Sequence, residues 1–476
     1  MIAFVGVTVV DTTGGPSRPD QTVVVEGDRI IGLGRRRDIS VPRGATVVDG
    51  TGKFLIPGLC DMHVHSDVHE AIIPPLYIAN GITTVREMSG ADHLHRWRDQ
   101  VEAGSLLGPR SIIASPLIDG APSLWADLNA VSYIEVTNES EARAAVRQVV
   151  RDGADFVKVY SRLSPEAYFA VVDEARRLQI PFAGHCPDNV PITEASRAGQ
   201  RSLEHMWGTW YSTSSREAEI RRAIAEIRIE PGNYNSWFNQ MHPLNWLAAQ
   251  SYDPGKAAAV FAGFVANQSR QVPTLIAMRA IAMPDEVSRT DGRLKYLPAA
   301  TAEEWWWALD ELFAAGRGPT EVAQHRELFD RQLRLVDEMR RAGVPMLAGT
   351  DSATPGCFPG FALHDELALL VQAGLTPCRR SKRRPSNRPG SSAGRTTRGR
   401  SAVATWPTWC CWTPTRSTTS ATPSGSGRWW CAADTSPPRS GSACSPRSRP
   451  QRGGPRRRPR HGGLSLHGPT ELTTAT

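Results

Sequence analysis

The sequence predicts an α/β fold, a (β/α)8 TIM-like barrel with a small β domain begun by its N-terminus. Three observations carry that prediction. From Leu59 onward short apolar runs alternate with helical stretches, the strand-helix order of a parallel sheet or barrel. Eight such runs are present, the number that closes a barrel of this kind. Several of them end on His or Asp, at the strand ends where such barrels place their active sites.

In chain order, residues 1–56 read as short strands, Thr8 to Val10, Thr22 to Glu26, Arg29 to Leu33 and Thr46 to Val48, with Gly27 and Asp28 turning the hairpin between the middle two. Residues 57–377 supply the barrel. Its predicted strands are Leu59 to His63, Ile82 to Glu87, Ser111 to Ser115, Phe156 to Tyr160, Phe182 to His185, Ser202 to His205, Val272 to Ile276 and Pro345 to Gly349. Apolar residues three or four apart mark intervening helices such as Glu139 to Arg151 and Pro165 to Leu178. The stretch 206–343 is longer than βα connections require and carries Trp207, Trp210, Trp237, Trp246 and the run Trp305 to Trp307. It reads as a lid-like insertion over the site, or as helices whose aromatics simply pack together.

The 476 residues hold 55 Lys and Arg against 48 Asp and Glu, a net charge of +7. That excess is confined to the end of the chain. Residues 378–476 carry 19 basic groups and only Asp434 and Glu471, a net of +17, which leaves 36 basic and 46 acidic groups, a net of −10, for residues 1–377. The tail has no Ile, Phe, Tyr or Met and cannot bury a core. A basic, disordered arm on a nucleic-acid-binding protein is one reading of it.

The genetic code offers another. Read one nucleotide earlier, the run Trp406 to Thr413 is forced to become an aliphatic residue or Met, Ala, one of Asp, Asn, His or Tyr, an aliphatic residue or Met, Val, Leu, Leu and Asp, because Trp and Cys have so few codons. Trp429 to Cys431 likewise become an aliphatic residue or Met followed by two valines. These are buried-strand patterns, so the tail reads as a frame-shifted translation beginning near codon 377, with an inactive or destabilised product as one consequence. Of the eight cysteines only Cys60, Cys186 and Cys357 lie before it, too few for a disulfide framework. No apolar run reaches the roughly 18 residues that cross a bilayer, and residues 1–11 alternate like a strand, so the expected compartment is cytoplasmic.

The candidate chemistry lies at the strand ends. His63 and His65 close the first strand two residues apart, so both imidazoles face one way and can share a metal. Lys158 alternates with Val157 and Val159; if the valines pack outward, its ammonium enters the barrel, where an unpaired charge is costly. It is either paired with a carboxylate or carboxylated by CO₂ into an anionic metal ligand. His185 and His205 each end a strand, the latter beside Glu204, and Asp351 ends the last. Tyr160, on the same face as Lys158, either contacts a substrate carboxylate or oxyanion, or fills the core. His69, His93, His95, His242, His325 and His364 do not fit and read as surface or supporting residues.

With this set the chain resembles the amidohydrolase superfamily, in the branch of imidazolonepropionase-related enzymes and Xaa-Pro dipeptidases, from about Ile2 to Pro377. The resemblance implies a metal-dependent hydrolase barrel with a composite β-sandwich completed by C-terminal strands. It also implies two divalent metal ions, usually zinc, held by His63, His65, Lys158, His185, His205 and Asp351. Asp351 would then act as the catalytic acid-base group in hydrolysis of an amide, peptide or cyclic amide, with a dipeptide or other small molecule as substrate and no nucleic acid or membrane as partner. Deaminase branches have the histidines and the Asp without the bridging lysine, so Lys158 points to a dipeptidase-like, binuclear member.

Overall fold

The computed structural model describes residues 1–375 apart from 11, 13, 14, 67, 129 and 130. The frame-shifted tail expected at 378–476 lies outside the described residues.

Five strands, β1 (Ile2–Val9), β2 (Arg18–Glu26), β3 (Arg29–Arg35), β4 (Thr46–Asp49) and β5 (Phe54–Leu55), make the small sheet. The order is β3-β2-β1-β4, with β5 also paired to β1. The hairpin turns where the sequence places it, with Glu26 opposite Arg29. Phe4, Val7 and Val23 pack together on one face. On β3, an end strand of the sheet, Ile30, Ile31 and Leu33 are exposed, Ile30 by 67%.

The larger sheet takes β6 (Leu59–Val64), β7 (Ile82–Glu87), β8 (Arg110–Gly120), β10 (Phe156–Val159), β11 (Phe182–Gly184), β12 (Ser202–Glu204) and β13 (Arg270–Val272) in consecutive parallel order. An eighth strand, β9 (Tyr133–Val136), pairs with the far half of β8 and was not foreseen. Residues 345–352 bridge the remaining gap. Leu347 N donates to Gln271 O, Met62 N to Ala348 O and His65 N to Ser352 O, so the segment joins β13 to β6 and leaves the barrel nearly closed. It is too irregular to be the strand predicted from Pro345 to Gly349, having only single bridges at Met346 and Ser352.

Local chemistry sets several boundaries. The helix Glu139–Arg151 starts where the Asn138 side chain accepts from Glu141 N, and Pro165–Arg177 starts where Ser164 accepts from Ala167 N ahead of a proline. The strand predicted from Val272 to Ile276 stops at Val272. Pro273 cannot donate to a ladder, Thr274 turns left-handed at φ +46°, and Leu275–Ala282 is helical. Small apolar clusters separate from the main core, Cys60, Met62, Val272 and Leu347 in one and Met88, Ala114, Phe156 and Ala183 in another, bring together side chains from neighbouring strands. Between β12 and β13 the chain inserts the helices Trp207–Thr213, Glu217–Glu226, Tyr234–Gln250 and Pro254–Asn267. After Leu275–Ala282 come Ala299–Trp307, continued as a π-helical turn, and Pro319–Ala342. Phe361–Gln372 is the last described helix.

Candidate metal centre

His63, His205 and Asp351 converge, each offering a ligand atom within 4.8 Å of the other two. Asp351 Oδ1 lies 3.2 Å from His63 Nε2 and 3.2 Å from His65 Nε2. The His205 ring centroid is 4.8 Å from that of His63 and 4.8 Å from that of His185. Lys158 is fully buried, with Nζ 5.8 Å from the Tyr160 ring, which itself stacks on His185 at 4.1 Å. All seven predicted residues therefore meet at one end of the barrel. His63 and Asp351 are the most tightly grouped, while Lys158 and His185 stand outside the three-residue cluster.

The backbone is shaped to allow this. A Cβ on Gly184 would sit 2.2 Å from Val159 O and 2.9 Å from Lys158 Cδ, so only glycine lets β11 pass the lysine. Asp351 (φ +57°), His205 (φ +63°) and Met206 (φ +72°) occupy the left-handed region, a cost accepted chiefly at functional sites. The double turn at His205 and Met206 brings Trp207 over His205 and His185, with ring centroids 5.0 and 5.4 Å away.

Every one of the four imidazoles is anchored through Nδ1. His63 meets Glu204 Oε2 at 2.8 Å, His65 meets Ser89 Oγ at 3.1 Å, His185 meets Ser161 Oγ at 2.8 Å and His205 meets Thr274 Oγ1 at 2.7 Å. With Nδ1 engaged, Nε2 is the nitrogen each ring has left for the site, the pattern of metal-ligating histidines with outer-shell partners. Burial holds His65, His185 and His205 below the usual imidazole range, His205 at about 3, which keeps them neutral and able to ligate. Burial also brings Lys158 down to about 8, against the pull of Glu204 and Asp351. At Asp351 burial works upward, but the adjacent His63 and His205 and the close approach of the His63 and His65 rings hold the carboxyl well below its ordinary value. His63 Nε2, 3.2 Å from Asp351 Oδ1, is buried and makes no well-formed hydrogen bond among the described residues. A divalent metal would satisfy that orphaned nitrogen, so these residues fit one.

Sequence reasoning missed the supporting groups. Glu204 was noticed beside His205, yet it serves His63 and takes both oxygens to Arg86 Nη2, at 3.0 and 2.9 Å, with Ser202 also donating. Tyr160 uses its hydroxyl within the protein, accepting from Trp125 Nε1 at 3.0 Å and lying 3.3 Å from the Tyr234 hydroxyl. His242, expected at the surface or in support of the site, is instead buried against His325 between two helices. No sequence signal short of a contact map separates these roles.

A parallel, nearly closed barrel with imidazoles and a carboxylate gathered at its strand ends defines a TIM-like α/β barrel with a candidate metal site. Residues 54–226 match the family model described as "Amidohydrolase family", so this stretch of the chain is similar to the amidohydrolase superfamily. It is 23% identical over 331 residues to an adenine deaminase of Mesorhizobium japonicum, covering 62% of this chain and 52% of that one. Across the curated relatives it spans only 30% to 52% of their length. Among solved structures it resembles bottromycin amidohydrolase (TM-score 0.57, 22% identity, 79% of this chain and 74% of the other). It also resembles a structure described as a putative prolidase from Bifidobacterium longum (TM-score 0.53, 21% identity, 78% and 79%).

Proposed function

We propose that this chain is a metal-dependent hydrolase of carbon–nitrogen bonds, cleaving an amide, peptide or cyclic amide in the manner of a dipeptidase or prolidase. The observation that carries the reading is the set of four Nδ1-anchored imidazoles at the barrel's strand ends, of which His63, His65 and His205 gather about Asp351. His63, His65, Lys158, His185, His205 and Asp351 would hold two divalent ions, zinc by ligand type. Bound there, such ions supply an acidified water and a polarised carbonyl.

The chain's own groups do the rest. Asp351, an acceptor at neutral pH, takes the proton of the attacking water on one oxygen and returns it to the leaving nitrogen. Lys158, buried and brought down to about 8, would as a neutral amine add CO₂ and release a proton, leaving an anionic carbamate able to ligate a metal. Tyr160 keeps His185 in place by stacking, and Trp207, Tyr234 and Trp237, linked by ring contacts, wall the site on the side of the 206–343 insertion, which acts as its lid. The name adenine deaminase on the curated relatives offers a second C–N chemistry; the buried Lys158 favours the dipeptidase-like one. Among the described residues no helix is long and apolar enough to cross a membrane; with three free cysteines and an acidic body, we place the enzyme in the cytoplasm, acting on small molecules.

The test is metal analysis followed by hydrolysis assays on Xaa-Pro dipeptides and N-acyl amino acids. Asp351→Asn should keep most of the metal and lose turnover by about 100-fold or more, since a positioned acid-base group contributes roughly 10²- to 10⁴-fold. Near-normal turnover in that variant, or a wild-type protein that takes up no metal, would overturn the reading.

A further inference from the structure

A second cluster of titratable side chains lies away from the metal centre, between the helices Tyr234–Gln250 and Pro319–Ala342. His242 and His325 stack with ring centroids 4.0 Å apart and planes 25° apart. His242 is only 5% exposed; its Nε2 lies 2.9 Å from Gln324 Oε1, and its buried Nδ1 has no partner among the described residues. Arg317 precedes the second helix and donates Nη1 to the carbonyls of Ile281 and Ala282, at 2.9 and 3.4 Å. Its Nε and Nη2 are buried and bind nothing among the described residues.

Those two nitrogens form the side-on edge of a guanidinium, whose parallel N–H bonds match the two oxygens of a carboxylate or phosphate. Elsewhere in this chain the same edge holds a carboxylate: Arg177 grips Glu174, Arg216 grips Glu219 and Arg293 grips Asp291. Arg317 has no such ion pair among the described residues, although a buried guanidinium without an anion is costly. The helix behind it begins with Pro319 and no side-chain cap, so its positive end adds to the same field.

We propose that Arg317 and His242 form a site for one small oxyanion, a carboxylate or a phosphate group, inside the helical insertion. The anion takes the empty edge of Arg317. With Gln324 accepting from Nε2–H, the neutral His242 offers only a lone pair at Nδ1, so it binds one proton from solution as the anion arrives and then donates from Nδ1. Binding is therefore tighter at lower pH. The groups facing this event are His325, Gln324 and Glu321 on one helix, Arg317 before it, and Asp285 on the turn Pro284–Glu286. Burial, helped by Arg317 and His242, keeps His325 neutral. Asp285 is already paired with Arg326, and Glu321 favours the protonated form of His242. Occupancy braces the helix that carries Tyr234 and Trp237 toward the metal centre.

The experiment is calorimetric titration of the full chain with sodium phosphate and, separately, sodium acetate, at pH 6 and pH 8, with and without a metal chelator; chloride controls for ionic strength. One saturable site, tighter at pH 6 and indifferent to the chelator, is expected, and the anion that binds more tightly names the source. Arg317→Lys keeps the charge without the side-on edge and should weaken binding about tenfold or more. His242→Gln should retain binding and lose the pH dependence. No binding by 20 mM of either anion overturns the proposal, as does equal affinity in folded Arg317→Lys. Loss of binding on chelation alone assigns the anion to the metal centre and overturns the second site while sparing the hydrolase reading. If Arg317→Lys fails to fold, the imidazole nitrogen resonances of His242 decide, since they must shift on adding phosphate to wild type.

Discussion

Replacing Glu204 by Gln separates what holds the barrel together from what holds the metal. Glu204 is buried, receives Arg86 Nη2 on both oxygens and the Ser202 hydroxyl, and fixes His63 through Nδ1. Burial alone would raise its pKa, but Arg86 and His63 bring it down to about 2, so it is a carboxylate at any working pH. Gln keeps the shape and removes the charge. Arg86, itself fully buried, then faces an amide where a carboxylate stood, and breaking a buried pair from one side costs about 3–5 kcal/mol. At about 2 °C per kcal/mol for a large domain, the metal-free protein should melt about 6–10 °C lower. Metal affinity should fall by about 10- to 100-fold, the usual effect of removing a ligand histidine's partner. The pair Arg86→Met with Glu204→Gln removes both charges; it should regain most of the melting temperature and none of the metal affinity. The assays are thermal melts in chelator and competition with a metal-binding dye. A Glu204→Gln melt within 2 °C of wild type, or a double variant as unstable as the single, would refute the reasoning.

Lys158→Ala should lower the metal count from about two per chain, measured by elemental analysis; an unchanged count would show that the lysine is no ligand. Glu366, on the helix Phe361–Gln372 and buried against the start of Leu275–Ala282, accepts from Ile276 N at 2.8 Å, and its Oε1 has no partner among the described residues. Burial pushes it from 4.5 up to about 8. The folded chain thus keeps a proton that the unfolded chain loses, so stability should fall as pH rises from about 4.5 to 8, and Glu366→Gln should flatten that slope and melt higher at pH 8; a wild type with equal stability at pH 5 and 8 contradicts this. On the small sheet, Ile31→Lys on the end strand β3, or restoring the reading frame after codon 377, should raise the soluble, monomeric yield, because apolar strand edges promote association; identical yields would show that this edge does no harm.

The sequence made the barrel and its candidate ligand histidines readable because both follow local periodicities. Alternation placed Lys158 in the barrel, and the spacing of His63 and His65 placed two imidazoles side by side. What it could not show depends on distant partners. Val272 to Ile276 looks like a strand by its apolar residues, yet Glu366, ninety residues later in the chain, accepts the amide hydrogen of Ile276 and supports a helix there. The closing segment at Pro345 to Gly349 loses its strand regularity where Gly349 must clear His63: a Cβ on it would meet the His63 backbone nitrogen at 2.9 Å. The pairing of Glu204 with His63 and Arg86 crosses three strands and has no local signature.

That crossing explains why the centre can be exact while the surrounding pocket varies. Each imidazole is fixed by an oxygen from a different element: Ser89 after β7, Ser161 after β10, Glu204 on β12 and Thr274 after β13. Glu204 precedes His205 in the chain but serves His63, so the strands carrying the two ligands are tied to one another, and Arg86 adds β7 to the same brace. A ring so tied cannot rotate to suit a substrate. On the proposed reading, discrimination is expected from the aromatic wall in which Trp207 meets the His185 and His205 rings and Trp237 and Tyr234 pack behind it, on helices that the barrel does not need for closure. Substitutions in that wall should change which substrate is taken while leaving the metal ligands where they are, a division of labour set by the topology.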